Sequence, residues 1–285
     1  MSTRNVLFVV NPTREDAQKA ASELSKLLRA SGFAIYVHAE SQLAQTSVVT
    51  AETLPQCEIA IVLGGDGTML RGAQAVRGTE IPLLGVNLGH VGFLAEIERP
   101  SITEVAHAVI EKKYSCESRM NLAYSVHRKD SEVVQGWALN EVTIERDSTT
   151  MVQLFVQIDR RPLSRWGCDG LICSTPTGST AYAFSAGGPV VWPEVEALVL
   201  LPISAHALFA KPMVVSPKSE IVIDIESNGA LLLGDSLRKF ALALGDRVTI
   251  TKDPGTVILA HLSDSVFSDR LVAKFKLPVE GWRGE

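Results

Sequence analysis

The chain has 285 residues, room for two domains, with 46% hydrophobic and 21% charged residues and a net charge of −5. That acidic balance, with no basic run interleaved with aromatics, argues against a nucleic-acid partner. No apolar run reaches membrane-spanning length, so a membrane partner is not expected either. Four cysteines without a CxxC pair and six histidines without ligand spacing imply reduced thiols and no metal held by the protein alone. Met1-Ser2-Thr3-Arg4-Asn5 leads straight into Val6–Val10, too short an apolar run for a signal peptide, and the expected location is cytoplasmic.

The first part alternates strand and helix. Val6–Val10 reads as a strand. Thr13 and Asp16 resemble a capping box before a helix whose Ala17, Ala20, Ala21, Leu24, Leu27 and Leu28 share one face. Ala34–His38 is a second strand, residues 41–53 read as a helical stretch, and Ile59–Leu63 is a third strand. Gly64-Gly65-Asp66-Gly67-Thr68 follows, with Thr68 expected to cap a helix over Met69–Val76. Successive backbone N–H groups in such a glycine turn make an anion-binding concavity, and a helix N-terminus favours anions too. A carboxylate among phosphate donors then suits orienting a hydroxyl for attack on phosphorus. A plain strand-to-helix turn with Asp66 in solvent is the competing reading. The loop is neither a Walker A motif nor a dinucleotide fingerprint.

Ile81–Val86 is the fourth strand, and strands separated by helices imply a parallel sheet with ligands beyond the carboxyl ends of its strands. Asn87-Leu88-Gly89-His90-Val91-Gly92-Phe93 leaves that strand beside the glycine loop, and His90 competes as a candidate with a plain exposed loop histidine. Ser101 and Glu104 make a capping box for a helix to about Lys112.

After about residue 115 the pattern turns to period two. Strands are expected over Ala123–Arg128, Val133–Leu139, Val142–Glu145, Met151–Ile158, Leu171–Cys173, Ala197–Leu201, Met213–Val215, Ile221–Ile225, Leu231–Leu233, Phe240–Leu244, Val248–Ile250 and Val257–His261. This is an antiparallel all-β domain following an α/β domain with a parallel sheet. A last helix, Phe267–Phe275, is expected to return to the first domain. The domain reading is therefore 1–118, 119–263 and a returning segment 264–285.

Asn140-Glu141 places an amide beside a carboxylate between two strands, suited to sugar hydroxyls or to a plain turn. Gly167-Cys168-Asp169-Gly170 runs through a strand into Ser174-Thr175-Pro176-Thr177-Gly178-Ser179-Thr180-Ala181-Tyr182. Its crowded hydroxyls and single aromatic suit a flat ligand, with Tyr182 to stack on a base and Asp169 to hold a ribose hydroxyl.

Gly64-Gly65-Asp66-Gly67-Thr68, Asn140-Glu141, and Asp169-Gly170 leading to Thr175-Pro176-Thr177-Gly178-Ser179-Thr180-Ala181-Tyr182 stand in the order and rough separation of the NAD kinase family, which the chain resembles over nearly its whole length. The tail from Phe267 to Trp282 resembles the actinobacterial branch. The glycine loop is shared with lipid kinases and nearly so with phosphofructokinases; the Thr-Pro-Thr-Gly-Ser-Thr-Ala-Tyr block is the more specific part.

The resemblance implies transfer of the terminal phosphate of ATP, or of inorganic polyphosphate, to the 2′-hydroxyl of the adenosine ribose of NAD, giving NADP, with Mg²⁺ accompanying the donor. It implies that Asp66 is the proton acceptor, with support of the metal through water as an alternative or additional role, that Gly67 and Arg71 lie near the diphosphate and ribose, and that Gly64, Gly65 and Thr68 are substrate-binding residues of the same loop. Asn140 and Glu141 would hold the adenosine half, with Asp169, Thr177, Thr180, Ala181, Tyr182 and Ser185 as further NAD contacts. A homodimer or homotetramer is implied in the same way. Leu233-Gly234-Asp235-Ser236 departs from relatives that carry Asp-Gly before Gln or Arg, which leaves a nucleotide contact there open. Two other functions compete: a lipid or small-molecule kinase sharing the glycine loop, and a non-catalytic NAD(P) sensor, which should have lost Asp66.

Overall fold

A computed structural model describes residues 3–41, 43–89, 92–95, 101–128, 134–263 and 266–279. Two units divide the chain, residues 1–118 with 257–285, and residues 119–256. The return to the first unit thus comes at Val257, where Leu259 and Ala260 pair with Leu83 and Leu84. Among the described residues no helix is long and apolar enough to cross a membrane.

The first unit runs β1 (Arg4–Val10), α1 (Glu15–Ala30), β2 (Phe33–Val37), β3 (Ser47–Val48), β4 (Cys57–Leu63), α2 (Asp66–Ala75), β5 (Leu83–Val86) and α3 (Ile102–Glu111). The pairings β3·β2, β2·β1, β1·β4 and β4·β5 are all parallel. Val6, Phe8, Ile59, Ile61 and Leu84 form one core with Ala17, Leu24 and Leu28 of α1 and Val105 and Val109 of α3. The apolar runs are buried because helices cover them, as a parallel sheet requires.

Three local expectations in this unit fail. No capping box forms at Thr13, because Asn11 Oδ1 takes the N–H and hydroxyl of Thr13 in an Asx turn and Asp16 pairs with Arg14. The described residues of 41–53 are not helical, since the β-branched Val48 and its neighbour Ser47 add an edge strand to β2 and Ser41 bonds the backbone of Val10. Helix α2 starts at Asp66 with Gly65 as its N-cap, so Thr68 is inside the first turn and does not cap it. The capping box at Ser101 does form, with Glu104 N–H on Ser101 Oγ at 3.1 Å and Ser101 N–H on Glu104 Oε2 at 2.7 Å.

The second unit is antiparallel: β6 (Ser115–His127), β7 (Val134–Ala138), β8 (Glu141–Arg146), β9 (Val152–Ile158), β10 (Arg161–Cys168), β11 (Gly170–Ser174), the one-turn α4 (Tyr182–Ser185), β12 (Leu198–Ile203), β13 (Met213–Val215), β14 (Ile221–Ile225), β15 (Ala230–Gly234), β16 (Arg238–Leu242) and β17 (Arg247–His261). One sheet has the order β13-β12-β11-β8-β15-β16; in the other, β10, β9, β14 and β17 follow one another. Leu154, Val156 and Ile223 of the second sheet share a core with Val142, Ile144, Leu171 and Leu200 of the first. Two strand readings change. Strand β10 escapes a hydrophobic pattern because it is a polar edge strand that tolerates Pro162. Strand β17 is continuous through Asp253-Pro254-Gly255, which Asn121 braces by donating to the Gly255 carbonyl at 3.1 Å.

The last helix, α5 (Phe267–Phe275), belongs to the first unit, and its Arg270 reaches the carbonyls of Phe93 and Ala95. His90, Val91 and Trp282 lie outside the described residues.

Candidate functional site

In the first unit, β4 ends at Leu63 and the glycine loop turns the chain into α2. Gly64 lacks a Cβ because one built there would stand 2.3 Å from Thr68 Oγ1, so the glycine admits the buried threonine to the first turn. Asp66 occupies the first helical position, where a carboxylate meets the positive end of the helix dipole. Its Oδ2 faces Phe93 N at 3.4 Å and its Oδ1 faces Leu94 N at 3.4 Å, both long for hydrogen bonds. A Cβ on Gly92 would lie 2.2 Å from Asp66 Oδ1, so the carboxylate keeps this orientation only beside a glycine on the neighbouring loop. Gly65 and Asp66 are half-buried and Gly67 is exposed. Arg71, one turn along α2, reaches Glu40 Oε2 at 3.4 Å. This corner combines helix-start N–H groups, one carboxylate and one arginine.

In the second unit, Asn140 and Glu141 are buried where the chain enters β8. Glu141 takes the N–H of Tyr182, and its Oε2 has no partner. Burial, with the charge of Asp235 added, pushes its carboxyl up to about 8. A buried carboxyl oxygen with no hydrogen-bond partner costs free energy until a polar group reaches it. A hydroxyl, which both donates and accepts, is a group of that kind.

The backbone under this pair is held by a residue the sequence pattern does not single out for that task. Asp235 Oδ1 accepts from Asn140 N at 2.7 Å and Glu141 N at 3.3 Å, and Oδ2 accepts from Leu139 N at 2.9 Å. Arg238 donates to Oδ2 at 2.8 Å. Asp235 and Ser236 have φ of +52° and +57°, the two central positions of a type I′ hairpin turn between β15 and β16. The available signal was an Asp-Ser pair between two apolar runs, which marks a hairpin without saying what the carboxylate meets.

The hydroxyl-rich turn is built differently from the sequence reading. Its hydroxyls mostly turn inward and do not form a presenting face. Thr175 Oγ1 donates to the Leu139 carbonyl at 2.6 Å and accepts from Gly178 N at 3.0 Å. Ser174 Oγ reaches the Asn140 carbonyl at 3.2 Å, and Thr180 Oγ1 the Thr177 carbonyl at 3.2 Å. Ser179 Oγ donates to the Pro176 carbonyl at 2.7 Å and accepts from Val191 N at 2.9 Å. A buried tight turn leaves carbonyls without ladder partners, and these short side chains satisfy them. The turn is thereby welded to residues 139–140.

Thr177 and Thr180 are buried in the 3₁₀ turn, and Ala181 is half-buried between it and α4. Tyr182 and Ser185 are exposed, Tyr182 by 39%. Asp169 pairs with Arg146, whose Nε stands 3.0 Å from Asp169 Oδ1. Within the second unit the structure thus gathers Asn140, Glu141, Thr177, Thr180 and the N–H of Tyr182. Within the first it gathers Gly64, Gly65, Asp66, Gly67 and Thr68.

All four cysteines are free, and burial pushes the thiols of Cys57, Cys168 and Cys173 up to about 11, 12 and 12, so these remain protonated near neutral pH. Among the described residues no group of three or more His, Cys, Asp or Glu converges on a metal-sized position.

Known proteins bear on this arrangement. Residues 6–114 match the ATP-NAD kinase N-terminal domain family and residues 139–262 the ATP-NAD kinase C-terminal domain family. The chain is similar to NAD kinase 2 of Streptomyces avermitilis, at 46% identity over 292 residues covering 99% of this chain and 97% of that protein. It is 44% identical to the NAD kinase of Thermobifida fusca over 301 residues, covering 99% and 92% of the two chains. Among solved structures it resembles yeast NADH kinase complexed with NADH, with a TM-score of 0.88 at 24% identity over 98% of this chain and 89% of that one. An Archaeoglobus fulgidus NAD kinase in complex with ATP gives a TM-score of 0.73 at 24% identity over 96% and 99%. At that identity the two structures speak for the fold.

Proposed function

Because this chain belongs to the NAD kinase family, we propose that it transfers the terminal phosphate of ATP to the 2′-hydroxyl of the adenosine ribose of NAD, giving NADP. The observation that supports this most directly is Glu141, whose buried Oε2 lacks a hydrogen-bond partner beside an Asn140 held at the same backbone. A nucleoside offers hydroxyl and amino donors suited to that carboxylate and amide.

Phosphoryl transfer passes through a loose transition state, so positioning and charge neutralisation dominate. In this reading the N–H groups at the start of α2 hold phosphate oxygens, and Arg71 adds a positive charge one turn along. Asp66 orients the attacking hydroxyl and accepts its proton late, as the new phosphorus–oxygen bond completes. Asn140 and Glu141 hold the adenosine portion, Tyr182 offers its exposed ring to a base, and Asp169, Thr177, Thr180, Ala181 and Ser185 complete the NAD contacts. Magnesium comes with the nucleotide, where it neutralises the donor phosphates. A homo-oligomer would cover Leu208 and Phe209 of the second unit, which are fully exposed and 52% exposed in the single chain. The cell compartment consistent with these substrates is the cytoplasm.

The test is the purified chain with NAD, ATP and Mg²⁺, with product read by an NADP-specific dehydrogenase. NADP should accumulate with ATP consumed in equal amount. A folded protein that consumes no ATP in the presence of NAD would overturn the reading. Replacing ATP by polyphosphate, and NAD by NADH, defines donor and acceptor range in the same assay.

A further inference from the structure

The segment 92–95 is contacted from two sides. On one side the N–H groups of Phe93 and Leu94 face the two carboxylate oxygens of Asp66, each at 3.4 Å. On the other, Arg270 of α5 donates through Nη1 to the carbonyls of Phe93 at 3.3 Å and Ala95 at 2.9 Å. The carbonyl of Phe93 and the N–H of Leu94 belong to one planar peptide unit. Fixing the oxygen of that plane fixes the direction of its N–H.

Arg270 is only 3% exposed, and a buried guanidinium keeps its proton. Its Nη2 lies 2.8 Å from His261 Nδ1, which must therefore act as acceptor and leave the ring hydrogen on Nε2. That Nε2 is 3.4 Å from Glu117 Oε2. The rings of Phe267 and Phe275 pack on Phe93 from the same helix, with centroids 6.2 and 5.7 Å away. A stacked ring holds a segment in place but does not orient a peptide plane. A cation on the carbonyl oxygen does, and it polarises the peptide so that its N–H donates more strongly.

We propose that Arg270 is a positioning residue for Asp66, acting through the Phe93–Leu94 peptide plane to set the orientation of the carboxylate. The proposal rests on the role given to Asp66 above. It makes the last helix part of the phosphoryl-transfer machinery as well as a packing element.

The full chain is assayed as wild type, Arg270→Lys, Asp66→Asn and the double variant. Lysine keeps a cation but loses the planar fork that serves two carbonyls and an imidazole together. The expected result for Arg270→Lys is a kcat lower by roughly tenfold to a hundredfold, as for a small misplacement of a reacting group. Its KM for NAD should stay within about twofold, since a catalytic misplacement does not weaken ground-state binding. In the Asp66→Asn background the same substitution should cost nothing further, because effects that act through one group are not additive. Amide exchange at Phe93 and Leu94 should accelerate in Arg270→Lys.

An unchanged kcat in Arg270→Lys, or a loss that persists in full beside Asp66→Asn, overturns the proposal. If Arg270→Lys does not fold, His261→Ala, which releases the guanidinium on one side, is read by the same kcat and double-variant criteria. Near-normal turnover by Asp66→Asn removes the role of Asp66 and this link with it. Turnover lost in Asp66→Asn but kept in Arg270→Lys removes the link alone.

Discussion

The carboxylate of Asp235 accepts the backbone N–H of Asn140 at 2.7 Å, although the two residues are separated by 95 positions in the chain. With Leu139 and Glu141 bonded to the same carboxylate, a hairpin turn sets the pose of the candidate adenosine-binding pair. Asp235→Ala would leave these buried N–H groups without acceptors and remove the bond that Arg238 makes to this carboxylate at 2.8 Å. The expected cost is about 3 kcal/mol of stability, read by chemical denaturation. NAD affinity should fall as well, because residues 139–141 lose their support; an unchanged Kd would show that the clamp is structural only.

Gly92→Ala tests the glycine loop without touching it. The added Cβ would meet Asp66 Oδ1 at 2.2 Å, and the end of that side chain is the part able to move. The variant should fold normally and lose roughly a hundredfold in turnover, the scale of a misplaced reacting group. Wild-type turnover by Gly92→Ala would mean that the orientation of Asp66 in the unbound protein is irrelevant to the reaction.

Asp66→Asn preserves shape and removes proton acceptance. The fold and NAD binding should persist, with turnover lower by about 10²–10⁴-fold. Steady-state rates beside a calorimetric NAD titration separate the two effects, and a loss confined to affinity would reassign Asp66 to binding.

Glu141 makes a prediction about pH. Its carboxyl is pushed from 4.5 in the unfolded chain up to about 8 in the folded one. Between those values the native state holds a proton that the unfolded chain has released, so this group lowers stability as pH rises. A glutamine side chain has no such proton to lose. Glu141→Gln should therefore gain on wild type in thermal unfolding from about pH 5 to about pH 8, with ligand absent. A difference that stays flat across that window would show that Glu141 titrates normally.

Tyr182, 39% exposed as a residue, offers a stacking surface. Tyr182→Ala should weaken NAD binding by about 1–3 kcal/mol, as for loss of one base–aromatic stack, and ATP binding by less. Equal losses for the two nucleotides would place the adenine of NAD elsewhere.

Much of this protein was legible before any coordinates. Parallel β1, β2, β4 and β5 follow from short apolar runs broken by an amphipathic stretch or a glycine turn between them. The antiparallel half follows from period two, and the Ser101 capping box and the span of α5 are local patterns that the fold keeps. These signals reside in backbone sterics and side-chain spacing within a few residues, which is why one chain displays them unaided. Where local preference was weak, neighbours won: Ser47–Val48 became an edge strand because β2 was there to pair with it, and Arg161–Cys168 became a strand because β9 was.

The motifs around Asp66, Asn140-Glu141 and residues 174–182 marked candidate positions for the chemistry, but the contacts of their side chains were settled by folding. The hydroxyls of Thr175 and Ser179 looked like ligand donors and were claimed by backbone carbonyls of a buried turn. Asp235 and Arg270 carried no local signature for their roles, because the backbone groups they bond stand 94 to 177 positions away. Composition and periodicity determined the elements and the motif positions, since both act over a few bonds. Which carboxylate clamps, which is left without a donor and which peptide plane is held are contacts that exist only once distant segments are brought together, and tertiary structure alone decided them.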